Sequence, residues 1–321
     1  MRFFLMFCWC YNYYLYLCNV FFMVLDLRLI KIGCRETINF FFVYIFNVLI
    51  SNIIIQNINM KRNLDGSDLE FEQDKRIAFE EKTHTYTVAG IGEMTPVSSV
   101  VAKFFKPFDA VFWSRQKTDN ETAAARLREE WEAKGLCAAG AGTHMHRQIE
   151  LYINSGAKPN LLYNFEYCGK QYEMQKTIDI SHEWNLFKRF DANVEYRPFR
   201  TEWQVYDDEH RIAGTIDLLC RAEDGAFEIF DWKRSSKINP DEVNRWSSGI
   251  NGLEHLTDTS YIHYCLQQNL YRYILEKNYG LRIARMNLVV LHPSLPNYKI
   301  VKIPRMDNEL RIIFDFLNRN K

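Results

Sequence analysis

The chain divides near residue 60 into a hydrophobic first part and a second part in which apolar and charged positions alternate. Two uncharged runs, 3–25 and 37–60, are each as long as the roughly 20 apolar residues that cross a bilayer. One interpretation of residues 1–59 is therefore a membrane hairpin or anchor. The other is a spurious extension, because Phe, Tyr, Asn, Ile and Leu are what AT-rich non-coding DNA encodes. Met60 then opens a polar, charged segment and is the expected true start.

After residue 75 the pattern changes between the two-residue period of strands and the period of helices. Strands are predicted as a pair within 76–90 and then at 200–207, 211–221, 226–233, 284–292 and 297–303. Helices are predicted to begin within 95–105 and then at about 120–134, 139–154, 177–191, 261–280 and from 307. This order predicts an α/β fold in which helices flank a central mixed sheet.

Asp217 and Asp231 each interrupt an apolar, strand-like run within 214–235, GTIDLLCRAEDGAFEIFDWKRS, and Lys233 follows the second aspartate by two residues. A two-residue turn between its strands would place Asp217 and Asp231 on opposite faces of the sheet. A three-residue loop at 223–225, a type I turn followed by a left-handed glycine, places the two aspartates directly opposite each other. We expect the second loop, because it requires glycine as its third residue. Lys233 then shares their face, since side chains alternate along a strand.

Two facing carboxylates repel each other unless a cation lies between them. Such a pair is a natural seat for Mg²⁺ or Mn²⁺, which prefer hard oxygen ligands. A lysine beside the metal can orient a water molecule or stabilise charge on a phosphate. The alternative is a surface hairpin whose polar face simply contacts solvent.

Two helices carry further pairs of polar residues spaced four apart, so that each pair projects from one helical face. His146 and Glu150 form the first pair, and His144 points elsewhere and is not counted as a ligand. Gln267 and Tyr271 form the second pair. Taken singly, each pair also fits an ordinary surface contact or core packing.

Together these segments resemble the PD-(D/E)XK nuclease superfamily in its RecB-like exonuclease branch. GTHMHRQIE, GTID, DWK and QQNLY follow one another with the order and spacing of that family's motifs, over about residues 139–293. The resemblance implies a restriction-endonuclease-like core with the order helix, three strands, helix, strand. The proline of the family name is absent, because Ile216 precedes Asp217.

The resemblance also implies a role for each matching residue. Asp217 and Asp231 would be the central metal ligands, with Lys233 as the catalytic lysine. The implied additional ligands for one or two Mg²⁺ or Mn²⁺ ions are His146, Glu150 and the carbonyl of Trp232. Glu150 would also take part in catalysis. Gln267 and Tyr271 would position the substrate strand, and Glu202 on the preceding strand is a lesser candidate for supporting the site.

Composition restricts the partners. The net charge is zero and the isoelectric point is about 7.1, so a nucleic-acid surface must be local. The eight cysteines include no C-x-x-C pair, which argues against a zinc ribbon or iron–sulfur cluster and favours a reducing, intracellular compartment. Local candidates for contacting DNA are Lys103, Lys106, Arg115, Lys117, Arg234, Lys237 and Arg245, with Phe105, Trp113 and Trp246.

The sequence thus predicts a Mg²⁺- or Mn²⁺-dependent deoxyribonuclease, expected to be an exonuclease acting in DNA repair, recombination or replication. Its expected partner is DNA that is single-stranded or has free ends, and a single strand would need aromatic surfaces for stacking. Its predicted parts are the hydrophobic segment 1–59, a strand pair and helical region at 60–138, and a nuclease core at 139–321. The expected location is the nucleus, cytoplasm or mitochondrion, with membrane attachment only if residues 1–59 are genuine. The alternatives are an inactive nucleic-acid-binding module with the same fold and a membrane-anchored scaffold.

Overall fold

The computed structural model describes residues 63–320, which lie in one compact unit spanning Lys61–Lys321. Both interpretations of residues 1–59 concern a segment outside the described residues. Within 63–320, no helix is long and apolar enough to cross a membrane.

Within residues 63–320, ten strands form one large sheet and one separate hairpin. They are β1 Ile77–Glu80, β2 Thr85–Val88, β3 Gly92–Pro96, β4 Leu162–Cys168, β5 Glu173–Asp179, β6 Pro198–Asp207, β7 Ile212–Arg221, β8 Phe227–Lys233, β9 Ile283–Val290 and β10 Lys299–Lys302. The large sheet has the order β1-β2-β3-β7-β8-β9-β10, β6 also pairs with β7, and β4 pairs with β5 alone. The predicted strands are confirmed, and strand β3 and the hairpin β4–β5 were not predicted.

The described part of the chain also contains six α-helices. They are α1 Val97–Ala102, α2 Ala110–Gln116, α3 Glu121–Ser155, α4 Ser181–Asn193, α5 Ser260–Asn278 and α6 Asp307–Arg319. Helix α5 ends at Asn278 with Tyr279 as its C-cap, and Gly280 follows with a φ of +65°, the left-handed conformation expected after a helix end.

Strand β7 is the centre of the sheet. It pairs antiparallel with β6 along nearly its whole length. On its other edge the start of β7 pairs parallel with β3, at Thr95–Ile212, and its end pairs antiparallel with β8, from Leu218 onward. Strand β8 then pairs parallel with β9. The sheet is therefore mixed, as predicted, and the edge of β7 just before Leu218 lies between two partner strands.

Each face of the sheet carries its own apolar core. On one face α1, α5 and α6 pack against residues such as Ile216, Ile229 and Leu288. On the other face α4 and the second half of α3 pack against residues such as Phe230 and Trp232. The observed architecture is thus an α/β fold with a mixed sheet between two helical layers.

Two predicted helices, 120–134 and 139–154, are in fact the single 35-residue helix α3. The predicted domain boundary at 138/139 lies inside it. Gly135 is helical there, because one interior glycine costs only about 1 kcal/mol relative to alanine and alanines and charged pairs surround it. An ion pair between Lys134 and Glu130, 2.5 Å apart and four residues apart in sequence, supports this part of the helix.

The helix predicted at 177–191 was wrong at its start. Residues up to Asp179 belong to strand β5, and α4 begins only at Ser181. The partner strand β4 carries Tyr163, Phe165 and Tyr167 on one face, a two-residue alternation that favours a strand.

Candidate metal and catalytic site

Three carboxylates lie in one row across β6, β7 and β8. Thr201 pairs with Leu218 and Trp203 with Ile216, so Glu202 lies opposite Asp217. The β7–β8 ladder ends at the pair Leu218–Phe230, and in the same register Asp217 lies opposite Asp231. The sequence predicted this register from the length of the hairpin loop, and the pairs up to Leu218–Phe230 confirm it. The paired ladder stops there, one residue before Asp217, but Asp217 is close enough to Asp231 to raise its pKa.

The loop that sets this register has the predicted length but a different conformation. Residues 223–225 connect the strands, and Ala222 N–H donates to the carbonyl of Ala226 at 2.8 Å. Gly225 is left-handed, with a φ of +76°, as expected. Asp224 is also left-handed, with a φ of +62°, so the predicted type I turn is wrong. Aspartate tolerates this conformation better than most residues, which is why the loop keeps its length and register.

Asp217 bridges the point at which β7 and β8 separate. Its Oδ2 accepts the backbone N–H of Trp232 at 2.8 Å, in the place where a strand-to-strand bond would otherwise continue the ladder. The Nδ1 of His146 lies 3.3 Å from the same oxygen. A carboxylate on β7 therefore contacts both the next strand and helix α3.

Asp231 is buried and contacts two side chains, the charged Lys233 and the neutral Gln268. Its carboxylate forms an ion pair with Lys233, and its Oδ1 accepts a hydrogen bond from Nε2 of Gln268 at 2.8 Å. Burial and the nearby Asp217 raise the pKa of Asp231 to about 7, against the opposing effect of Lys233. The ionised form of the Asp231 carboxyl is therefore disfavoured relative to that of an ordinary aspartate, and a further cation would favour it.

Lys233 is protonated and positively charged at neutral pH. Burial by itself lowers its pKa, but the carboxylates of Asp231 and Asp217 outweigh burial and hold the pKa of Lys233 above its usual value. The ammonium also lies 4.7 Å from the ring centroid of Tyr264 on α5. The lysine is thus held between strand and helix, with its charge at the carboxylate row.

His146 joins the row from helix α3. Ligand atoms of His146, Glu202 and Asp217 all lie within 4.8 Å of one another, a spacing that one metal ion could bridge. Burial lowers the pKa of His146, and the Asp217 carboxylate partly opposes this shift. A neutral imidazole has a lone pair free for a metal.

Glu202 has a conformation that is unusual for a strand residue. Its φ is +42°, a left-handed value that non-glycine residues seldom adopt and that costs on the order of 1–3 kcal/mol. Such strain concentrates at functional sites, where surrounding structure enforces it. The sequence had ranked Glu202 as a lesser candidate, and the structure places it among the donor atoms.

Glu150 lies one helical turn beyond His146, but its carboxylate turns towards Arg147, with 2.5 Å between the charged atoms. Among the described residues, the group of close donor atoms includes Glu202 and does not include Glu150. His144 contacts the carbonyl of Asn160 at 2.8 Å, so it does point elsewhere.

Gln267 and Tyr271 meet on α5, with Nε2 of the glutamine donating to the tyrosine hydroxyl at 3.3 Å. The ring of Tyr271 is buried over Gly214, where an added Cβ would lie 2.5 Å from the ring. The pair therefore lies beside β7, three residues before Asp217. Burial raises the pKa of Tyr271, so its hydroxyl is a neutral donor.

Gln268 is a site residue that the sequence analysis missed. It is fully buried, and its Oε1 has no hydrogen-bond partner among the described residues. A signal existed, because Gln268 lies four residues after Tyr264 and three before Tyr271, on the helical face that meets the site. The resemblance to the nuclease family pointed instead to the neighbouring residue, Gln267.

Some residues proposed to contact DNA have other roles. Phe105 is buried, with its ring centroid 3.9 Å from that of His263, so the prediction that it stacks on a base was wrong. Arg234 donates from Nε to the buried Glu183 at 2.7 Å. Trp113 and Trp246 are 47% and 98% exposed and remain available.

Comparison with known proteins finds no matching family model and no matching curated sequence. Among solved structures, the chain is similar to the one described as "Crystal structure of SSO0001", with 13% identity over 70% of this chain and 72% of that chain. The TM-score of this match is 0.26, which is too low to bear on fold or function.

Proposed function

We propose that this protein is a metal-dependent nuclease of the PD-(D/E)XK type that hydrolyses phosphodiester bonds of DNA from strand ends. The observation that carries the proposal is the row Glu202, Asp217 and Asp231 on three adjacent strands, with His146 and Lys233 beside it. A surface hairpin in solvent does not need such a buried cluster.

The order of elements supports a restriction-endonuclease-like core. Helix α3, strands β6 to β8, helix α5 and strand β9 follow the order helix, three strands, helix, strand. The hairpin β4–β5 and helix α4 are inserted between α3 and β6.

The residues fit a divalent cation. Imidazole and carboxylate donors suit Mn²⁺, and the carboxylates suit Mg²⁺. His146, Glu202 and Asp217 would hold the ion, with Asp231 as the adjacent carboxylate. Burial and the Asp217 carboxylate raise the pKa of Asp231, and a cation there would oppose both effects. When bound, such an ion polarises a phosphate and lowers the pKa of a coordinated water.

The other residues act on the substrate. The ammonium of Lys233 stabilises negative charge that develops on the phosphate, or steadies the attacking water. Gln267 and Tyr271 present an amide and a hydroxyl next to Gly214, and we assign them to holding the DNA backbone. Hydrogen bonds from such neutral groups fix the register of a strand.

The test is cleavage by the full chain of end-labelled linear DNA and closed circular DNA, with Mg²⁺ or Mn²⁺. Asp217→Asn and Lys233→Ala are each expected to lower the cleavage rate by about 10²-fold or more. Lys302→Ala, which removes an exposed lysine at the end of β10, is the matched control and is expected to cleave normally.

Undiminished cleavage by both site variants would refute the proposed site. Cleavage of closed circles would refute action from strand ends while leaving nuclease chemistry intact. Binding of DNA without cleavage under any divalent ion would identify a binding module instead.

A further inference from the structure

Helix α2 and the residues before it expose the side chains that a surface helix normally buries. The buried residue of α2 is Ser114, whose hydroxyl accepts a hydrogen bond from Arg128 on α3 at 2.9 Å. Phe108, Phe112 and Trp113 are 68%, 50% and 47% exposed. An amphipathic helix places its apolar face towards the core, so this reversed arrangement indicates a face made for a partner.

Trp131 of α3 extends this face. Its ring centroid lies 5.7 Å from that of Phe108, and the Nζ atom of Lys117 lies 5.5 Å from the Trp131 centroid. We refer to Phe108, Phe112, Trp113 and Trp131 as the aromatic surface. Its rings offer flat faces rather than the branched aliphatic side chains of an ordinary protein core.

The segment that carries three of the four rings is positively charged, whereas α3 carries glutamates beside Trp131. Those glutamates have partners of their own: Glu129 accepts the backbone N–H of Gln171, Glu130 pairs with Lys134, and Glu132 accepts the hydroxyl of Tyr167. Residues 103–117 contain four basic residues and one acidic residue, Asp109, which caps α2. Within residues 63–320, Lys103 and Lys106 are exposed and take part in no ion pair, whereas Arg115 pairs with Glu121 at 2.8 Å. Rings interleaved with unpaired ammonium groups complement a flexible anion that carries stackable groups.

Helix α3 connects the aromatic surface with the carboxylate row. Trp131 and His146 are fifteen residues apart on this unbroken helix, which is about 22 Å along its axis. The turn of the helix places them only about 60° apart around that axis. The residues between them on this side are small, namely Gly135, Ala138, Ala139 and Gly142. No bulky side chain of α3 therefore obstructs the path along this side.

The start of the segment 103–117 packs against α5, the helix that carries several residues of the site. Phe105 packs on His263 in the first turn of α5, and the next residue of that helix, Tyr264, contacts Lys233. The segment 103–117 is thus anchored against the helix that contributes Gln267, Gln268 and Tyr271 to the site.

We propose that the aromatic surface binds a single strand of DNA by base stacking and leads it along α3 to the carboxylate row. Base–aromatic stacking with basic groups along the backbone is how proteins hold single strands without reading their sequence. A duplex hides its base faces, so it cannot stack in this way. The inference deepens the proposed function, and it rests on that function for the choice of DNA and for the destination of the strand.

The first experiment measures binding alone, in the full chain carrying Asp231→Asn and without divalent ions. Fluorescence anisotropy gives the Kd for a labelled 20-nucleotide single strand. The double variant Phe112→Leu/Trp113→Leu keeps the surface apolar but removes the rings, and Phe112→Tyr/Trp113→Tyr keeps aromatic rings. Leu162→Ala, which trims a 53% exposed leucine on β4, is the control for loss of an exposed apolar side chain.

The leucine variant is expected to weaken single-strand binding about tenfold or more, and the tyrosine variant by less than about threefold, because only aromatic rings stack on bases. The control is expected to bind as the parent does. Equal binding by the leucine variant and the parent would overturn the inference and favour an apolar protein partner. Equal losses in the leucine and tyrosine variants would overturn it as well, and so would an inability of the parent to bind single strands.

The second experiment measures cleavage, in the chain with Asp231 intact. The KM ratio of the leucine variant to the wild type is expected to rise once strands exceed about six nucleotides, because about 22 Å corresponds to about six stacked nucleotides at 3.4 Å each. A ratio independent of length would overturn the proposed path. If neither protein cleaves DNA but ring-dependent binding persists, the proposed function fails and the binding surface stands.

Discussion

Asp231 shows how a single buried residue can indicate the need for a cation. It is 3% exposed, adjoins a second carboxylate and has one lysine as its counter-charge. Burial, and then the Asp217 carboxylate, raise the pKa of Asp231, and the single ammonium of Lys233 does not offset them. A bound divalent ion would balance the cluster.

The hydrogen bond from Gln268 to Asp231 yields a prediction about metal binding. Gln268→Leu is expected to weaken Mn²⁺ binding by about 10- to 100-fold, because it removes the donor that orients this carboxylate. Isothermal titration calorimetry with Mn²⁺ measures the effect. Gln267→Leu is the matched control, since Gln267 bonds Tyr271 and not a carboxylate. Equal Mn²⁺ affinities for the two variants would contradict this role of Gln268.

At this scale the sequence predicted part of the site. It placed Asp217, Asp231 and Lys233 together because hairpin length and strand alternation are local properties. It ranked Glu202 too low and missed Gln268. Glu202 reaches the site from its place between the paired residues Thr201 and Trp203 and through an unusual φ. Gln268 reaches it through the docking of α5 on the sheet. Neither long-range packing nor backbone strain can be read from local spacing.

At the scale of elements, helix α3 connects the site with the aromatic surface, and its glycines differ in what surrounds them. A Cβ added at Gly135 would meet nothing within 4 Å, whereas one at Gly140 would lie 2.0 Å from the hydroxyl oxygen of Tyr163 on β4. Gly135 is therefore exposed and lowers the stability of the helix without allowing any close contact. Gly140 allows the hairpin β4–β5 to pack closely against the helix.

Substitution by alanine is expected to have opposite effects at these two positions. Gly135→Ala should raise the free energy of unfolding by about 1 kcal/mol, because alanine is the better helix former. Gly140→Ala should lower it by up to about 2 kcal/mol, because displacing Tyr163 outweighs the same gain. Urea denaturation followed by circular dichroism measures both values. A loss of stability in Gly135→Ala would contradict the continuous, exposed helix.

Predictions of elements failed where local signals competed. Residues 177–179 precede a real helix and have no strong turn signal, so the predicted helix was extended into strand β5. The predicted gap between the helices at 120–134 and 139–154 was also wrong, because the interior of a long helix tolerates one glycine, Gly135. The strands from β6 to β10 were predicted well, because they are rich in β-branched and aromatic residues and are bounded by turns.

At the scale of the whole molecule, Asp207 connects the end of β6 with the end of α5. Its buried carboxylate accepts hydrogen bonds from Lys277 at 2.8 Å, Asn278 at 3.0 Å and the backbone N–H of His210 at 3.1 Å. Burial alone raises the pKa of Asp207, but these partners outweigh burial and hold the pKa below its usual value of 3.8.

A depressed carboxylate pKa stabilises the fold above the unfolded-state pKa, and that stability is lost as pH falls through the folded-state pKa. Asp207→Asn is therefore expected to lower the free energy of unfolding by about 3 kcal/mol near pH 7. The difference from wild type should shrink as pH falls below about 4.

Urea denaturation across that pH range is the measurement. Asp208→Asn, which changes the exposed neighbour, is the control and should stay within about 0.5 kcal/mol of wild type. A difference between Asp207→Asn and wild type that is constant with pH would show that the charge of Asp207 does not stabilise the fold.

The most direct test of the proposed cation site is anomalous X-ray diffraction from crystals of the protein soaked in Mn²⁺. We expect an anomalous peak bonded to an imidazole nitrogen of His146 and to carboxylate oxygens of Glu202 and Asp217, and loss of that peak in Asp217→Asn. No peak at these residues in the wild-type protein, or an undiminished peak in the variant, would contradict a metal centre at the carboxylate row.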